Sequence, residues 1–200
     1  MQVLPVYSGA TRKRSSSPGK LIVLAGPSGV GKGTILRSLL QRHPEIHYSV
    51  SMTTRSPRPG EIDGQHYYFA NRSQFEKMVA NGEFLEWAEF AGNYYGTPRQ
   101  PVEDQIRQGK LVVLEIELEG ARQIHASFPN AFRIFILPPS LSELEQRLRG
   151  RGQDSEEAIT RRLQHAQAEI DAANEFDIQI VNDDVEESLN NIEAALFAPC

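Results

Sequence analysis

The sequence predicts an α/β fold with a parallel five-stranded core sheet in a three-layer arrangement. Short apolar runs alternate with helical patterns along the chain, an order typical of βαβ units. A glycine-rich loop directly follows the first apolar run and leads into a helical pattern. The chain has 200 residues, of which 40% are hydrophobic, so its length and composition suit one domain with its own core.

Five apolar segments are predicted as the strands of the core sheet. Turn residues mark some of their ends, such as Gly109 before the third segment and Pro138 after the fourth. The second segment is, with the last, one of the two shortest, and it is the least apolar of the five. The predicted strands are Leu21–Ala25, Tyr48–Ser51, Leu111–Ile116, Phe132–Leu137 and Ile178–Val181.

Capping patterns predict where two of the helices begin. A serine followed three residues later by glutamate can satisfy two backbone donors at a helix start, and both Ser140 with Glu143 and Ser73 with Glu76 match. Apolar residues at helical spacing predict a last helix over about Val185–Phe197.

Residues 62–95 are rich in aromatic side chains and predict a small antiparallel sheet inserted between core elements. Alternation of apolar and polar residues, as in Phe84–Phe90, is typical of a strand with one buried face. We expect most of these aromatic residues to pack the small sheet, while the polar residues between them carry the function.

The composition limits the partners of the chain. The net charge is −5, but residues 1–20 hold four basic side chains and no acid, so the remainder carries −9. Such a chain is a poor binder of nucleic acid, and local arginines must hold any anionic ligand. No apolar run approaches the ~20 residues of a membrane span. A single cysteine, Cys200, excludes a disulfide within the chain and favours a reducing cytoplasm.

Residues 1–19 are predicted to be a disordered extension that precedes a domain over residues 20–198. They include Ser15–Gly19 and lack sustained periodicity. Because they are basic and free of acids, they also fit a short targeting peptide, and the sequence leaves both interpretations open.

The glycine-rich loop has the pattern of a phosphate-binding P-loop. Its glycines let backbone N–H groups turn towards an anion, and the following helix adds its positive end. Lys32 is expected to reach the β- and γ-phosphates of a nucleoside triphosphate. An ordinary strand-to-helix turn is the alternative. The predicted ATP-binding residues of this loop are Gly26, Pro27, Ser28, Gly29, Val30, Gly31, Lys32, Gly33 and Thr34.

Gly33 departs from the commonest P-loop pattern, in which serine or threonine follows the lysine and holds Mg²⁺ through its hydroxyl. Two arrangements remain open. Either Thr34 supplies a hydroxyl from a shifted position, or phosphates and water hold the ion, which Mg²⁺ tolerates.

A second basic motif lies in Ser51–Gly60, where Arg55 and Arg58 stand three residues apart in a stretch stiffened by two prolines. Guanidinium groups fit phosphate oxygens bidentately, so the pair predicts a clamp for a monophosphate. A solvated basic loop is the alternative.

With these motifs in order, residues 20–198 closely resemble the guanylate kinase family. The P-loop and the Ser51–Gly60 segment are the first pieces of the resemblance. Further matching segments are Glu61–Phe69, Glu86–Phe90, Gly92–Thr97, Arg149–Gly152 and Val181–Asp184.

The resemblance implies an enzyme that transfers the γ-phosphate of ATP to GMP, giving ADP and GDP, with Mg²⁺ as the cofactor. It implies a GMP-binding subdomain over about residues 51–97 and a mobile lid over about 141–160. Among the arginines of the lid and the helix after it, Arg147, Arg151 and Arg162 would act with Lys32 on the transferring phosphoryl group. Asn182 would contact ATP. The implied GMP-binding residues are Ser51, Arg55, Arg58, Tyr67, Glu86, Tyr95, Thr97 and Glu117.

The chemistry of guanine supports the implied roles of Glu86 and Thr97. One carboxylate can accept from both N1–H and the 2-amino group, and a hydroxyl can donate to O6. Adenine lacks both donors and would leave the carboxylate desolvated and unpaired, so such a site can reject it by ~10⁴-fold.

The acidic pair after the third core strand departs from the family, which has aspartates where this chain has Glu115 and Glu117. Each carboxylate stands one methylene farther out. We expect Glu115 near the magnesium and Glu117 near the base or the arginine clamp. Thr97 replaces a common serine and keeps the hydroxyl.

Other functions remain open from sequence. A kinase-dead module of the same family would bind a phosphopeptide in the GMP site, but such modules typically lose the P-loop or lid arginines that this chain keeps. A kinase acting on AMP or CMP would lack the pair of Glu86 and Thr97. We expect a cytoplasmic protein that is a monomer or a weak homo-oligomer, and dGMP is a further candidate acceptor.

Overall fold

The computed structural model describes residues 19–90, 92–150 and 155–197, which form two sheets and the helices around them. The strands are β1 Lys20–Ala25, β2 His47–Tyr48, β3 Met52–Thr53, β4 Tyr68–Phe69, β5 Phe84–Phe90, β6 Asn93–Pro98, β7 Leu111–Glu115, β8 Phe132–Leu137 and β9 Ile178–Val181. The helices are α1 Lys32–Arg42, α2 Arg72–Ala80, α3 Arg99–Arg107, α4 Leu118–Ser127, α5 Leu141–Gly150, α6 Glu156–Asp171 and α7 Val185–Phe197, with a 3₁₀ turn at Ala173–Glu175.

The core sheet has five parallel strands in the order β2-β7-β1-β8-β9. Four of its strands follow the prediction closely. The predicted strand Tyr48–Ser51 is wrong in its extent, because only His47–Tyr48 pairs with β7. After Ser49 donates to the carbonyl of Val113 at 3.0 Å, the chain leaves this sheet, and the carbonyl of Ser51 accepts from Tyr68.

Two apolar clusters cover the two faces of the core sheet, which gives the predicted three layers. One cluster joins the sheet to α1, α5, α6 and α7, and it includes Ile35, Leu144 and Leu189. The other joins it to α3 and α4 through Val102 and Ile124. Parallel strands that are buried on both faces appear in the sequence as continuous apolar runs. This is why the strands of the core sheet could be predicted from the sequence.

The second sheet has four strands in the order β4-β3-β6-β5. The prediction of an antiparallel sheet is wrong for one pair, since β3 and β4 run parallel while the other pairs are antiparallel. Aromatic packing confirms the expected core of this sheet: Phe75 of α2 stacks on Phe84 at 4.3 Å and on Tyr94 at 5.3 Å between ring centroids.

The helix starts confirm one predicted cap and correct another. Ser140 Oγ accepts from the Glu143 backbone N–H at 3.1 Å, immediately before α5. At α2, however, Asn71 is the cap and accepts from the Gln74 N–H at 2.8 Å, so Ser73 lies inside the first turn. Asparagine is among the residues preferred as a helix N-cap, so the helix begins at Arg72 and not after Ser73. The last helix begins and ends where the sequence predicts.

Within the described residues, no helix is long and apolar enough to cross a membrane. Of the predicted extension, Gly19 is described, and its N–H donates to the Ile106 carbonyl at 3.2 Å. The predictions for residues 1–18, Arg151 and Cys200 lie outside the described residues.

Candidate active site

A cleft of about 630 Å³ opens between the carboxyl ends of β1 and β7 and the second sheet. Open parallel sheets bind ligands at this edge, because the loops and helix starts converge there. Many of the predicted site residues line this one cleft. They are Ser28, Gly29, Gly31, Lys32, Gly33, Thr34, Ser51, Arg58, Tyr67, Glu86, Tyr95, Glu115 and Glu117.

The P-loop links β1 to α1 in a conformation that requires glycine. Gly31, the N-cap of α1, has a φ of 105°, and a Cβ there would lie 2.5 Å from the side-chain nitrogen of Asn182. Lys32 donates to the carbonyls of Gly26 at 2.5 Å and Pro27 at 3.2 Å, so its ammonium lies across the loop. The positive end of α1 and this ammonium together make the loop a site for phosphate oxygens.

Asn182 and Arg147 support the P-loop from behind. The Asn182 amide donates to the Val30 carbonyl at 2.7 Å, and its oxygen accepts from Ser188 at 3.2 Å. Arg147 donates to the carbonyls of Asn182 at 3.1 Å and Val30 at 3.4 Å. Both residues therefore hold the loop backbone in this structure, and a direct contact of either with ATP stays a prediction.

Arg55 is held by a carboxylate that the sequence reasoning missed. Glu61 accepts from both terminal nitrogens of Arg55 at 2.9 Å and from the Arg58 N–H at 2.6 Å. The Arg55 guanidinium lies 5.4 Å from the Tyr67 ring centroid. The hydrogen bonds from Arg55 lower the pKa of Glu61 to about 2. The pair fixes the turn that presents Arg58 to the cleft.

Two tyrosines face the arginine turn. Tyr67 and Tyr95 meet edge to face with ring centroids 6.1 Å apart, and burial raises the pKa of Tyr67. Tyr48, at the end of β2, also lines the cleft, and burial raises its pKa to about 12. The hydroxyls of Tyr48 and Tyr67 are thus neutral donors in the cleft that Ser51 and Arg58 also line, suited to phosphate oxygens.

Glu86 and Thr97 form a buried pair on β5 and β6. Thr97 Oγ1 donates to Glu86 Oε1 at 2.6 Å, and the two side chains are 1% and 7% exposed. Burial raises the pKa of Glu86, while hydrogen bonds from Thr97 lower it. A Cβ on Gly120, in the first turn of α4, would lie 2.8 Å from Glu86 Oε2. The Glu86 carboxylate therefore packs against the first turn of α4, where only a glycine at position 120 leaves room for it.

Glu115 lies where β7 ends, opposite the start of α1. Burial raises its pKa, and Lys32 and Arg37 lower it. The Thr34 hydroxyl accepts from Arg37 at 3.3 Å. Among residues 19–90, 92–150 and 155–197, no cluster of three or more His, Cys, Asp or Glu side chains fits a metal ion. An ion here would need phosphate oxygens and water as ligands, with Glu115 beside it.

The segment predicted as a lid spans α5 and the start of α6. Arg149 joins the two helices by pairing with Glu145 and Glu156 at 2.8 and 2.5 Å. Arg162 is half-buried on α6. Arg151 lies outside the described residues, so its role stays a prediction.

A half-buried acid on α6, Glu169, was also missed. It lies seven residues after Arg162 and three after Ala166, a spacing that places the three on one helix face. Burial raises the pKa of Glu169 to about 7, Lys32 lowers it, and Glu117 raises it. No local sequence signal distinguishes Glu169 from other helical glutamates, because its burial depends on the packing of α6 against the site.

Comparison with known proteins gives one consistent family. A family model described as "Guanylate kinase" matches residues 18–199. The chain is 71% identical over 197 residues to a protein of Trichormus variabilis named guanylate kinase, covering 98% of this chain and 99% of that protein. A protein of Thermosynechococcus vestitus with the same name is 66% identical over 182 residues, or 91% and 95% of the two chains. The crystal structure of guanylate kinase from Anaplasma phagocytophilum superposes with a TM-score of 0.74 at 38% identity, covering 92% of this chain and 87% of that one.

Proposed function

The chain belongs to the guanylate kinase family, and we propose that its cleft transfers the γ-phosphate of ATP to GMP. One observation carries this proposal: a single cleft joins a P-loop with Lys32 to a buried carboxylate, Glu86, that can read guanine. The donor and acceptor groups would therefore meet within one enclosed volume, as a direct transfer requires.

The reaction needs positioning and charge stabilisation rather than a covalent intermediate. An oxygen of the GMP phosphate attacks the γ-phosphorus of ATP, and the bond from that phosphorus to the β–γ bridging oxygen breaks. ADP leaves with the electron pair of that bond, and the new bond completes GDP. Lys32 would stabilise the β- and γ-phosphate oxygens, with Arg151 and Arg162 on the transferring group. Arg147 would act by supporting the P-loop.

The acceptor phosphate would bind at the arginine turn. Arg58, Tyr67 and Tyr95 line the cleft there and supply one cation and two neutral donors. Arg55 would add its positive charge to this site, while Glu61 and the Ser56 carbonyl accept from its terminal nitrogens. Glu61 would hold the Arg55 guanidinium in a fixed orientation, which reduces the conformational entropy that the side chain loses when phosphate binds.

The guanine would bind at Glu86. Its N1–H and 2-amino donors match the carboxylate, which lines the same cleft as the P-loop. Thr97 would position Glu86 and donate to O6 only after its hydroxyl turns away from the carboxylate. Glu117 is exposed at the start of α4 and would add negative charge beside the donor edge of the base.

Mg²⁺ is the cofactor that we propose with ATP. The chain fits an ion held mainly by phosphate oxygens and water, because the Thr34 hydroxyl is engaged by Arg37 and Glu115 is the acidic group nearest the start of α1. When bound, the ion would neutralise charge on the triphosphate.

We propose a cytoplasmic enzyme that acts as a monomer or a weak homo-oligomer, with dGMP as a second acceptor. The kinase-dead alternative is disfavoured, because the curated relatives carry the name guanylate kinase and this chain keeps Lys32.

A coupled assay of ADP release across GMP, dGMP, AMP, CMP and UMP tests the function. We expect rapid turnover with GMP and at least ~10³-fold lower kcat/KM with AMP, because AMP leaves Glu86 unpaired. Comparable rates with AMP or CMP would contradict the assignment of Glu86. A chain that binds GMP without releasing ADP would instead support the kinase-dead alternative.

A further inference from the structure

Three features of the donor side lie next to one another: a glycine after the P-loop lysine, a glutamate in place of aspartate, and a cation. The glycine is Gly33, the glutamate is Glu115, and the cation is Arg37 of α1. All three line the cleft.

The space in front of Gly33 connects the other two side chains. A Cβ built on Gly33 would lie 3.6 Å from Nη1 of Arg37 and 3.8 and 3.9 Å from the two carboxylate oxygens of Glu115. Both oxygens of Glu115 thus face the place where a P-loop serine or threonine would stand. The Arg37 guanidinium borders the same place.

Arg37 is also tied to the P-loop helix itself. Its Nη2 donates to the Thr34 hydroxyl at 3.3 Å, which keeps the guanidinium at the start of α1. A carboxylate beside the triphosphate would repel it when no metal ion screens the charge. The Arg37 cation offsets that repulsion, and its charge lowers the pKa of Glu115.

We propose that Arg37 is a positioning residue of the donor site, whose guanidinium compensates Glu115 and lowers the dependence of ATP binding on Mg²⁺. The inference rests on the proposed function, because it assigns the β- and γ-phosphates to the P-loop. It explains why this chain tolerates glycine at position 33. Arg37 and the carboxylate of Glu115 border the space in which the hydroxyl of a serine or threonine would otherwise hold the Mg²⁺ ion.

The test is calorimetric titration of a non-hydrolysable ATP analogue, with EDTA and with saturating Mg²⁺. We expect Arg37→Ala to weaken binding in EDTA by roughly fivefold, the effect of one unit charge at about 4 Å in water. With Mg²⁺ the loss shrinks to within about twofold, because the ion now screens Glu115. Adding Glu115→Gln to Arg37→Ala restores the EDTA affinity, since the uncompensated charge is gone.

Arg42→Ala is the matched control. Arg42 lies on the same helix but pairs with Glu186 and Glu193, so its loss should change neither titration. An unchanged EDTA affinity in Arg37→Ala overturns the proposal. An equal loss with and without Mg²⁺ also overturns it, because the arginine would then attract nucleotide independently of Glu115. Failure of the wild-type chain to bind the analogue at all would instead contradict the proposed function.

Discussion

Thr97 donates a 2.6 Å hydrogen bond to Glu86 across the neighbouring strands β5 and β6, and both side chains are buried. A hydroxyl has one hydrogen, so Thr97 cannot donate to a guanine O6 while this bond is formed. The first task of Thr97 is therefore to fix the rotamer of the carboxylate. Reading O6 requires the hydroxyl to turn when the base arrives.

Replacement of Glu86 by glutamine should lower kcat/KM for GMP by about 100-fold or more, because the amide puts a donor against the guanine donors. The KM for ATP should stay within about threefold, since the P-loop is untouched. Steady-state kinetics with each substrate varied measures both. Thr97→Ser is the control, and because it keeps the hydroxyl it should lose less than about fivefold. If Glu86→Gln uses GMP normally, the base is read elsewhere and Glu117 becomes the first candidate.

Gly120→Ala should separate stability from specificity. Alanine is better than glycine in a helix by roughly 0.5–1 kcal/mol, so the melting temperature should hold or rise. The new methyl would stand 2.8 Å from Glu86 Oε2 and displace the carboxylate, so the KM for GMP should increase about tenfold.

Combining Gly120→Ala with Glu86→Asp provides the control. The shorter side chain withdraws from the methyl, so the double variant should lose less than the product of the two single losses. A lower melting temperature together with strictly additive losses would mean that the methyl only disturbs packing.

Lys32→Met should abolish turnover and leave GMP binding nearly intact, because the ammonium lies over the P-loop and serves the triphosphate. Single-turnover kinetics and calorimetric GMP titration measure the two effects. Turnover within tenfold of the wild type would remove the P-loop from the mechanism.

The sequence predicts the features that depend on neighbouring residues. The predictions fail where a feature depends on packing between residues that are distant in sequence. The order of strand, glycine-rich loop and helix around the P-loop is predicted correctly, because glycine spacing and the flanking apolar patterns are local features. The cap at Ser73 is wrong because the helix begins two residues earlier than predicted, where Asn71 accepts from the Gln74 N–H. The second strand is too long in the prediction because its end depends on a partner strand far along the chain.

The same limit explains the residues that the sequence reasoning missed. The sequence predicts Arg55 as part of a phosphate clamp, but its pairing with Glu61 depends on the shape of a turn. Gly120 matters through Glu86, which is distant in sequence. No periodicity or motif encodes such contacts, so they follow only once the two sheets are assembled.

Glu169→Gln should change how stability depends on pH. Burial raises the pKa of Glu169 to about 7 from its ordinary value near 4.5, so the folded state binds this proton more tightly than the unfolded state. The wild type is then favoured by this group below about pH 4.5 and loses that advantage as the pH rises through 7. Glutamine cannot ionise, so the variant should gain about 1–2 kcal/mol over the wild type near pH 8, less than the full shift because water still reaches the group.

Urea unfolding between about pH 4 and pH 8 measures this slope. Glu157→Gln is the control on the same helix, because hydrogen bonding lowers the pKa of Glu157 and its effect should be confined to the acid side. A difference between Glu169→Gln and the wild type that does not vary with pH would show that Glu169 is ordinary in the folded state.

Arg55→Ala and Arg151→Ala should divide the site into acceptor and lid. Arg55 belongs to the turn that holds the GMP phosphate, so its loss should weaken GMP binding by tenfold or more with a smaller effect on kcat. Arg151 is expected to act when charge moves between donor and acceptor, so its loss should lower kcat by about 100-fold with little effect on GMP affinity.

Glu61→Gln refines the contrast. This variant keeps the positive charge of Arg55 but removes the carboxylate that fixes the orientation of its guanidinium. If orientation matters, this variant should bind GMP more weakly than the wild type and more tightly than Arg55→Ala. Calorimetric GMP titration and steady-state kinetics on the three variants decide the matter. Should Arg151→Ala lose GMP affinity and keep its kcat, the lid assignment is wrong and that arginine belongs to the acceptor site.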